Sequence, residues 1–311
     1  MTRRGAVGPV LAGVLVVLAA SAAAWALAYP DGSVLATVLR AVCDGAAILT
    51  LGLAVAPLLD DDRHRGELLD RATVPLIVAA AGWLLAEVSR LLVAAADVAG
   101  VPFVRLDVSA VLSYASGLGR PAVLGVAAAG VSLVTALVSR GSRARGSANA
   151  VVVGAAAIGV VSRVLTGHFS VSGLGGAAVA VHVLAAALWC GALAGLVLTV
   201  AHRGRWARVL PRFSTLSLWC VAAMVGAGAV GAVDRLGSVA DLVVTGYGRV
   251  LTAKLVLTSL LVVLGWRNRT LWLPAARGHR ASAALSRTRA VVELTAMGVA
   301  LTLAAGLAVT G

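Results

Sequence analysis

Nine long apolar runs follow one another along this chain, at about 6–28, 34–59, 72–96, 108–139, 148–166, 174–201, 213–233, 248–266 and 290–310. Crossing a hydrocarbon core of about 30 Å takes roughly 20 apolar residues, and inside it a backbone must satisfy its own hydrogen bonds. The runs therefore predict an all-α protein, a polytopic transmembrane helical bundle of about nine spans. Composition agrees: 60% of the 311 residues are hydrophobic and 13% charged, where soluble domains average about 45–50% and 25%.

The breaks between runs alternate in charge. Arg3 and Arg4, then Arg63, Arg65 and Arg71, then Arg140, Arg143 and Arg145, then Arg203, Arg205, Arg208 and Arg212, and finally Arg267, Arg269, Arg277, Arg280, Arg287 and Arg289 occupy every second break, while Arg105, Arg235 and Arg249 are all that the others hold. By the positive-inside rule the N-terminus is cytoplasmic and the C-terminus faces outward. The net charge of +13 is thus a matter of topology, and nucleic acid is excluded as a partner. The first run has the basic start and small-residue exit of a signal peptide. Its apolar part of about twenty residues ends at Trp25 and exceeds the usual h-region of about 7–15 residues, which predicts a retained helix.

The largest breaks, 234–248 outside and 267–289 inside, are too short to fold alone, so whatever the chain does it does within the bilayer. It divides into a four-helix region, 1–145, and a five-helix region, 146–311. There is no GxxxxGK[ST] phosphate loop and no constellation of nucleophile and base or paired carboxylates in a common extramembrane site, so no enzymatic activity is expected. Cys43, Cys190 and Cys220 lie inside apolar runs and form no disulfide framework. Small residues at four-residue spacing, such as Ala187, Gly191 and Gly195, predict closely packed helices.

An ionisable side chain at the bilayer centre costs at least about 2.5–3.5 kcal/mol, so each needs its own explanation. Glu87 and Arg90, spaced i, i+3, predict an ion pair on one helix face. Arg163 and Lys254, near outer helix ends, are expected to snorkel, and Glu293 to pair with Arg289 at the inner boundary. Arg120, followed by Pro121, reads as a deeper cation beside a helix bend. His182 is the sharpest case: it stands about eight residues into the run holding "VHVLAAALWCGAL", roughly 12 Å from the outer surface by helical rise, and Trp189 follows on the same face. One reading is a neutral histidine bonded to a neighbouring helix; the others are a metal or haem ligand or a proton relay. His168 in the external turn "TGHFSVSGLGG" and Cys43 with Asp44 fall on the same side, and together they predict an outward-facing set of nitrogen and sulfur donors suited to copper. Only Met1, Met224 and Met297 are present, too few for a methionine-lined path. His64, His202 and His279 are expected to be solvated loop residues.

"TGHFS", "VHVLAAALWCGAL", "RFSTLSLWCVAAMVGAGAVGAV", "YGRVLTAKLVLTSLLVVLGWRNRTL" and "ELTAMGVALTLAAGLAVTG", in this order over about 160–311, resemble the copper resistance D (CopD) family of bacterial inner-membrane proteins. Residues 1–150 match only in general character. The resemblance implies copper uptake or handling across the cytoplasmic (plasma) membrane, with a periplasmic copper-binding protein of the CopC type as partner. Carried over residue by residue, it makes His168 and His182 the family's two histidines, and Trp189, Gly191, Phe213, Ser214, Tyr247, Arg249, Lys254 and Glu293 its other signature positions. The alternatives are a haem-binding redox protein or oxidase-assembly factor, since paired histidines in a bundle ligate haem, and a scaffold for periplasmic copper chaperones.

Overall fold

The computed structural model describes residues 4–29, 33–142, 145–162, 173–235, 241–278 and 281–310. They are almost entirely helical, with no strand among the described residues. In chain order the helices are α1 (Arg4–Ala28), α2 (Val34–Val55), α3 (Asp62–Ala99), α4 (Val108–Ser116), α5 (Arg120–Val138), α6 (Arg145–Ser162), α7 (Gly173–Thr199), α8 (Arg203–Arg235), α9 (Asp241–Val244), α10 (Gly246–Arg267), α11 (Leu273–Arg277) and α12 (Ala283–Thr310). Eight described helical segments are long and apolar enough to cross a membrane, and α1 adds an apolar stretch, Gly13–Ala28. The protein is an all-α polytopic membrane bundle.

Three boundaries differ from the hydropathy reading. The run at 108–139 is two helices, the short α4 and the spanning α5, and Arg120 is the exposed first residue of α5 with Pro121 in its first turn. Proline is favoured there because its missing N–H is unneeded and its φ suits a helix start, so Pro121 begins a helix instead of bending one, and Arg120 is a boundary residue. The arginine-rich break before residue 213 is the first turns of α8, because Trp206, Val209 and Leu210 are buried at 1%, 0% and 2% exposure. The run ending at 266 continues through a π-turn, Asn268–Trp272, into α11, so the inner break is partly helical.

Contacts group the chain into two units, one comprising 1–45 with 235–311 and the other 46–234. In the first, α1 packs on α12 and α10, and α10 on α12. Arg249 fastens the exit of α1: its Nε donates to the Leu27 carbonyl at 2.9 Å and its Nη2 to the Tyr29 carbonyl at 3.1 Å. In the second, α3, α5 and α6 pack together, with α7 against α6 and α3. The inner half of α2 crosses α7 at backbone contact, since a Cβ on Gly52 would overlap the Gly191 backbone, and one on Gly195 would lie 2.6 Å from the Gly52 carbonyl oxygen. This is small-residue helix packing in a setting where apolar burial between helices gains nothing over lipid. The buried amide of Asn149 on α6 donates to the Ala54 carbonyl and adds a polar tie.

Candidate functional site

His182 is the tenth residue of α7, about 13 Å along the axis from its N-terminal end at 1.5 Å per residue. The Nδ1 of the half-buried ring lies 2.9 Å from the main-chain carbonyl oxygen of Met224 in α8. A carbonyl only accepts, so Nδ1 carries the proton, and in the neutral imidazole the lone pair is on Nε2. Histidine metal ligands are held in this way, with one ring nitrogen anchored to a carbonyl and the other presented to the ion. Gly228, one turn beyond Met224, gives the ring its place: a Cβ there would touch Nδ1 at 3.4 Å and Cε1 at 3.5 Å. Two turns along α7, Trp189 is 3% exposed and its Nε1 has no acceptor among the described residues, an arrangement that costs about 1–3 kcal/mol.

His168 and Arg163, both singled out by the sequence, lie outside the described residues. Cys43, fully buried, and Asp44 belong to the first unit and His182 to the second. Asp44 is paired with Arg40, Nε to Oδ2 at 3.5 Å. The sequence reading overlooked Arg40, although its i, i+4 spacing from Asp44 was visible.

Glu87 and Arg90 pair as their spacing predicts, with Nη2 and Nε of Arg90 at 3.0 and 3.2 Å from Oε2. The sequence reading missed the third member, Trp83, whose Nε1 donates to Oε1 at 3.0 Å. Glu87 is fully buried, and α5 makes room for it at Gly125, where a Cβ would lie 3.1 Å from the carboxylate. A buried carboxylate supplied with charge-assisted donors on both oxygens is tolerable where an isolated one is not.

In the first unit Lys254 and Tyr247 are half-buried on α10. Glu293, 3% exposed, accepts from Nδ2 of Asn268 at 2.6 Å. Asn268 opens the π-turn, which hydropathy could not reveal because an added residue in a helical ladder leaves the apolar pattern intact. The sequence leads one to expect Arg289 as the partner of this carboxylate and gives no sign of the amide of Asn268.

Around the α2–α3 junction and the start of α8, in the second unit, the sequence alone suggests only solvated arginines and histidines. The structure instead shows a charge clamp between the start of α8 and the junction of α2 with α3. Arg208 bonds Asp60 at 3.0 and 3.3 Å, Arg212 bonds Asp61 at 2.8 Å, and Arg205 bonds Glu67. Burial works to raise the pKa of Asp60, but the Arg208 hydrogen bonds, the Asp61 amide and the charges of Arg208 and His64 outweigh it and hold it below the ordinary value. His64 is half-buried in the first turn of α3, correcting its expected place in a solvated loop, and it gathers with Asp60 and Asp61 so that one ligand atom from each lies within 4.8 Å of the others. Both carboxylates already have a guanidinium partner, so the cluster reads as part of the clamp.

Comparison with known families gives two matches that tile most of the chain. Residues 30–177 match the copper resistance protein D-like N-terminal domain, and residues 207–307 match copper resistance protein D itself. His168 falls in the first match and Phe213, Ser214, Tyr247, Arg249, Lys254 and Glu293 in the second, while His182 and Trp189 lie between them. No curated protein sequence and no solved structure matches the chain. With its multi-pass helical fold and both family matches, this chain belongs to the copper resistance protein D family and is a copper-resistance membrane protein.

Proposed function

We propose that this protein moves copper inward across the plasma membrane and that His182 is a ligand of the copper on its way. The observation that carries the reading is the bond from Nδ1 of His182 to Met224: it orients an imidazole well inside the N-terminal end of α7 and assigns the lone pair to Nε2. A nitrogen donor fixed in this way suits copper, with His168 proposed as a further donor of the same borderline character. Copper arrives from the periplasmic side, handed over by a copper-binding protein of the CopC type. No nucleotide-binding loop is present to power the movement, so transport follows the gradient or is coupled to protons. Because binding needs a deprotonated imidazole, uptake falls as the outside is acidified. Glu87 with Arg90 on α3, Asp44 with Arg40 on α2, and Arg249 with the exit of α1 are structural polar pairings in this reading.

The test is copper accumulation in cells producing the intact chain or His182→Ala at equal membrane abundance. Loss of uptake in the variant supports the assignment, and equal uptake removes His182 from the path. An absorbance spectrum of the purified protein separates copper from haem, since only haem gives a Soret band.

A further inference from the structure

Between the outer end of α3 and α4, within the second unit, lies a cavity of about 330 Å³ lined by Ala95, Val98 and Ala99 of α3 and by Ala110, Tyr114 and Leu118 of α4 and its exit. Around it the chain shows its apolar side chains outward: Phe103, Val104, Val108, Leu112 and Leu118 are all exposed, Val104 at 90%. A patch of this kind on a water-facing loop would be an aggregation liability; on a short helix at the edge of a bilayer it is the face that enters the acyl region. Asp107 marks the water side. It caps α4, accepting from the Ala110 amide at 2.8 Å and the Ser109 hydroxyl at 3.1 Å, and these bonds hold its carboxyl below the ordinary value.

At the other end of α4 the charge is positive. Nε of the exposed Arg120 donates to the Ser116 carbonyl at 2.8 Å, which holds the guanidinium against the turn through Gly117 and Leu118 that closes the cavity. The α5 dipole adds to the positive potential there, since its N-cap, Gly119, supplies no side-chain cap. A cation beside a cavity lined mainly by apolar side chains, with Ser113 as its polar edge, on a helix whose exposed face carries Val108 and Leu112, has the chemistry of a phospholipid: a phosphate for the guanidinium and an acyl chain for the cavity.

We propose that the α3–α4 cavity is a phospholipid site, with an acyl chain between Ala99 and Tyr114 and the phosphate on Arg120. It stands apart from the copper path, since neither His182 nor its partners line it.

The experiment uses the full chain purified in detergent and stripped of lipid, with binding followed by native mass spectrometry. Three probes are compared: dioleoyl phosphatidylglycerol, dioleoylglycerol, which has the same tails without phosphate, and glycerol phosphate, which has the headgroup without tails. Phosphatidylglycerol binds best. Arg120→Gln weakens that binding about tenfold, as loss of a charge-assisted hydrogen bond does, and leaves dioleoylglycerol binding unchanged. Ala99→Phe, which fills the cavity, weakens both lipids. Equal phosphatidylglycerol binding by the intact chain and both variants overturns the proposal, as does binding of glycerol phosphate as tight as that of the lipid. Helical circular dichroism and elution volume of each variant, unchanged from the intact chain, exclude misfolding; a variant that fails this check is replaced by Arg120→Met or Ala110→Leu, for which the same outcomes hold.

Discussion

Nδ1 of His182 and the carbonyl oxygen of Met224, 42 residues apart in the chain, are 2.9 Å apart in space. The contact ties α7 to α8 within the second unit and places the ring proton on Nδ1. Since a Cβ at Gly228 would touch the same ring at ordinary contact distance, substitutions there grade the effect. Gly228→Ala keeps copper uptake near that of the intact protein. Gly228→Ile forces the ring off its anchor and reduces uptake as far as His182→Ala does, measured as cell-associated copper at matched membrane abundance.

Glu87 holds Arg90 and Trp83 from a fully buried position. Removing one partner of a buried pair strands the other's charge, so Glu87→Ala lowers stability by about 3 kcal/mol. Arg90 keeps 21% side-chain exposure, which lets it reach water and places the loss at the low end of that range. Gly125→Ala, with its Cβ 3.1 Å from the carboxylate, costs about 1 kcal/mol by overpacking. Denaturant unfolding in detergent checks both.

The crossing of α2 over α7 tolerates no Cβ. Gly52→Ala and Gly191→Ala each lower the thermal midpoint and the yield of folded protein, by the equivalent of about 3 kcal/mol or more. Gly130→Ala serves as the control, because a Cβ there meets open space. Its midpoint stays within error of the intact chain or rises slightly, from the better helix propensity of alanine.

The clamp at the α2–α3 junction has a definite pH sign. The pKa of Asp60 is lower in the folded protein than the ordinary value of 3.8. The folded state therefore prefers the ionised carboxylate, and its contribution is complete above the unfolded pKa and lost as pH falls through the lower folded value. Unfolding midpoints of the intact chain decline below about pH 4. Asp60→Asn is less stable at pH 7 and loses part of that acid dependence, because Arg208 is left beside a neutral amide.

Much of the architecture was legible in the linear pattern. Run length and the alternation of arginine between breaks specify spanning helices because a bilayer admits few alternatives, and the i, i+3 spacing of Glu87 and Arg90 places them on one face of whatever helix carries them. Hydropathy failed where the polar residues of a break were themselves buried or paired. Arg205, Arg208 and Arg212 looked like solvated topology signals, yet they lie in α8 and meet Glu67, Asp60 and Asp61, acids more than a hundred residues earlier. Arg120 looked intramembrane because the run around it is apolar on both sides, and only the turn at Gly117–Gly119 reveals it as a helix start.

The copper family and the helical class follow from residue order alone, because solvent acts on each span separately. What His182 bonds to, which backbone lets α2 press on α7, and which acid meets which arginine were decided by tertiary structure. These depend on the approach of helices distant in the chain, and in lipid that approach is governed by close steric fit and a few polar contacts, which hydropathy along the chain does not encode.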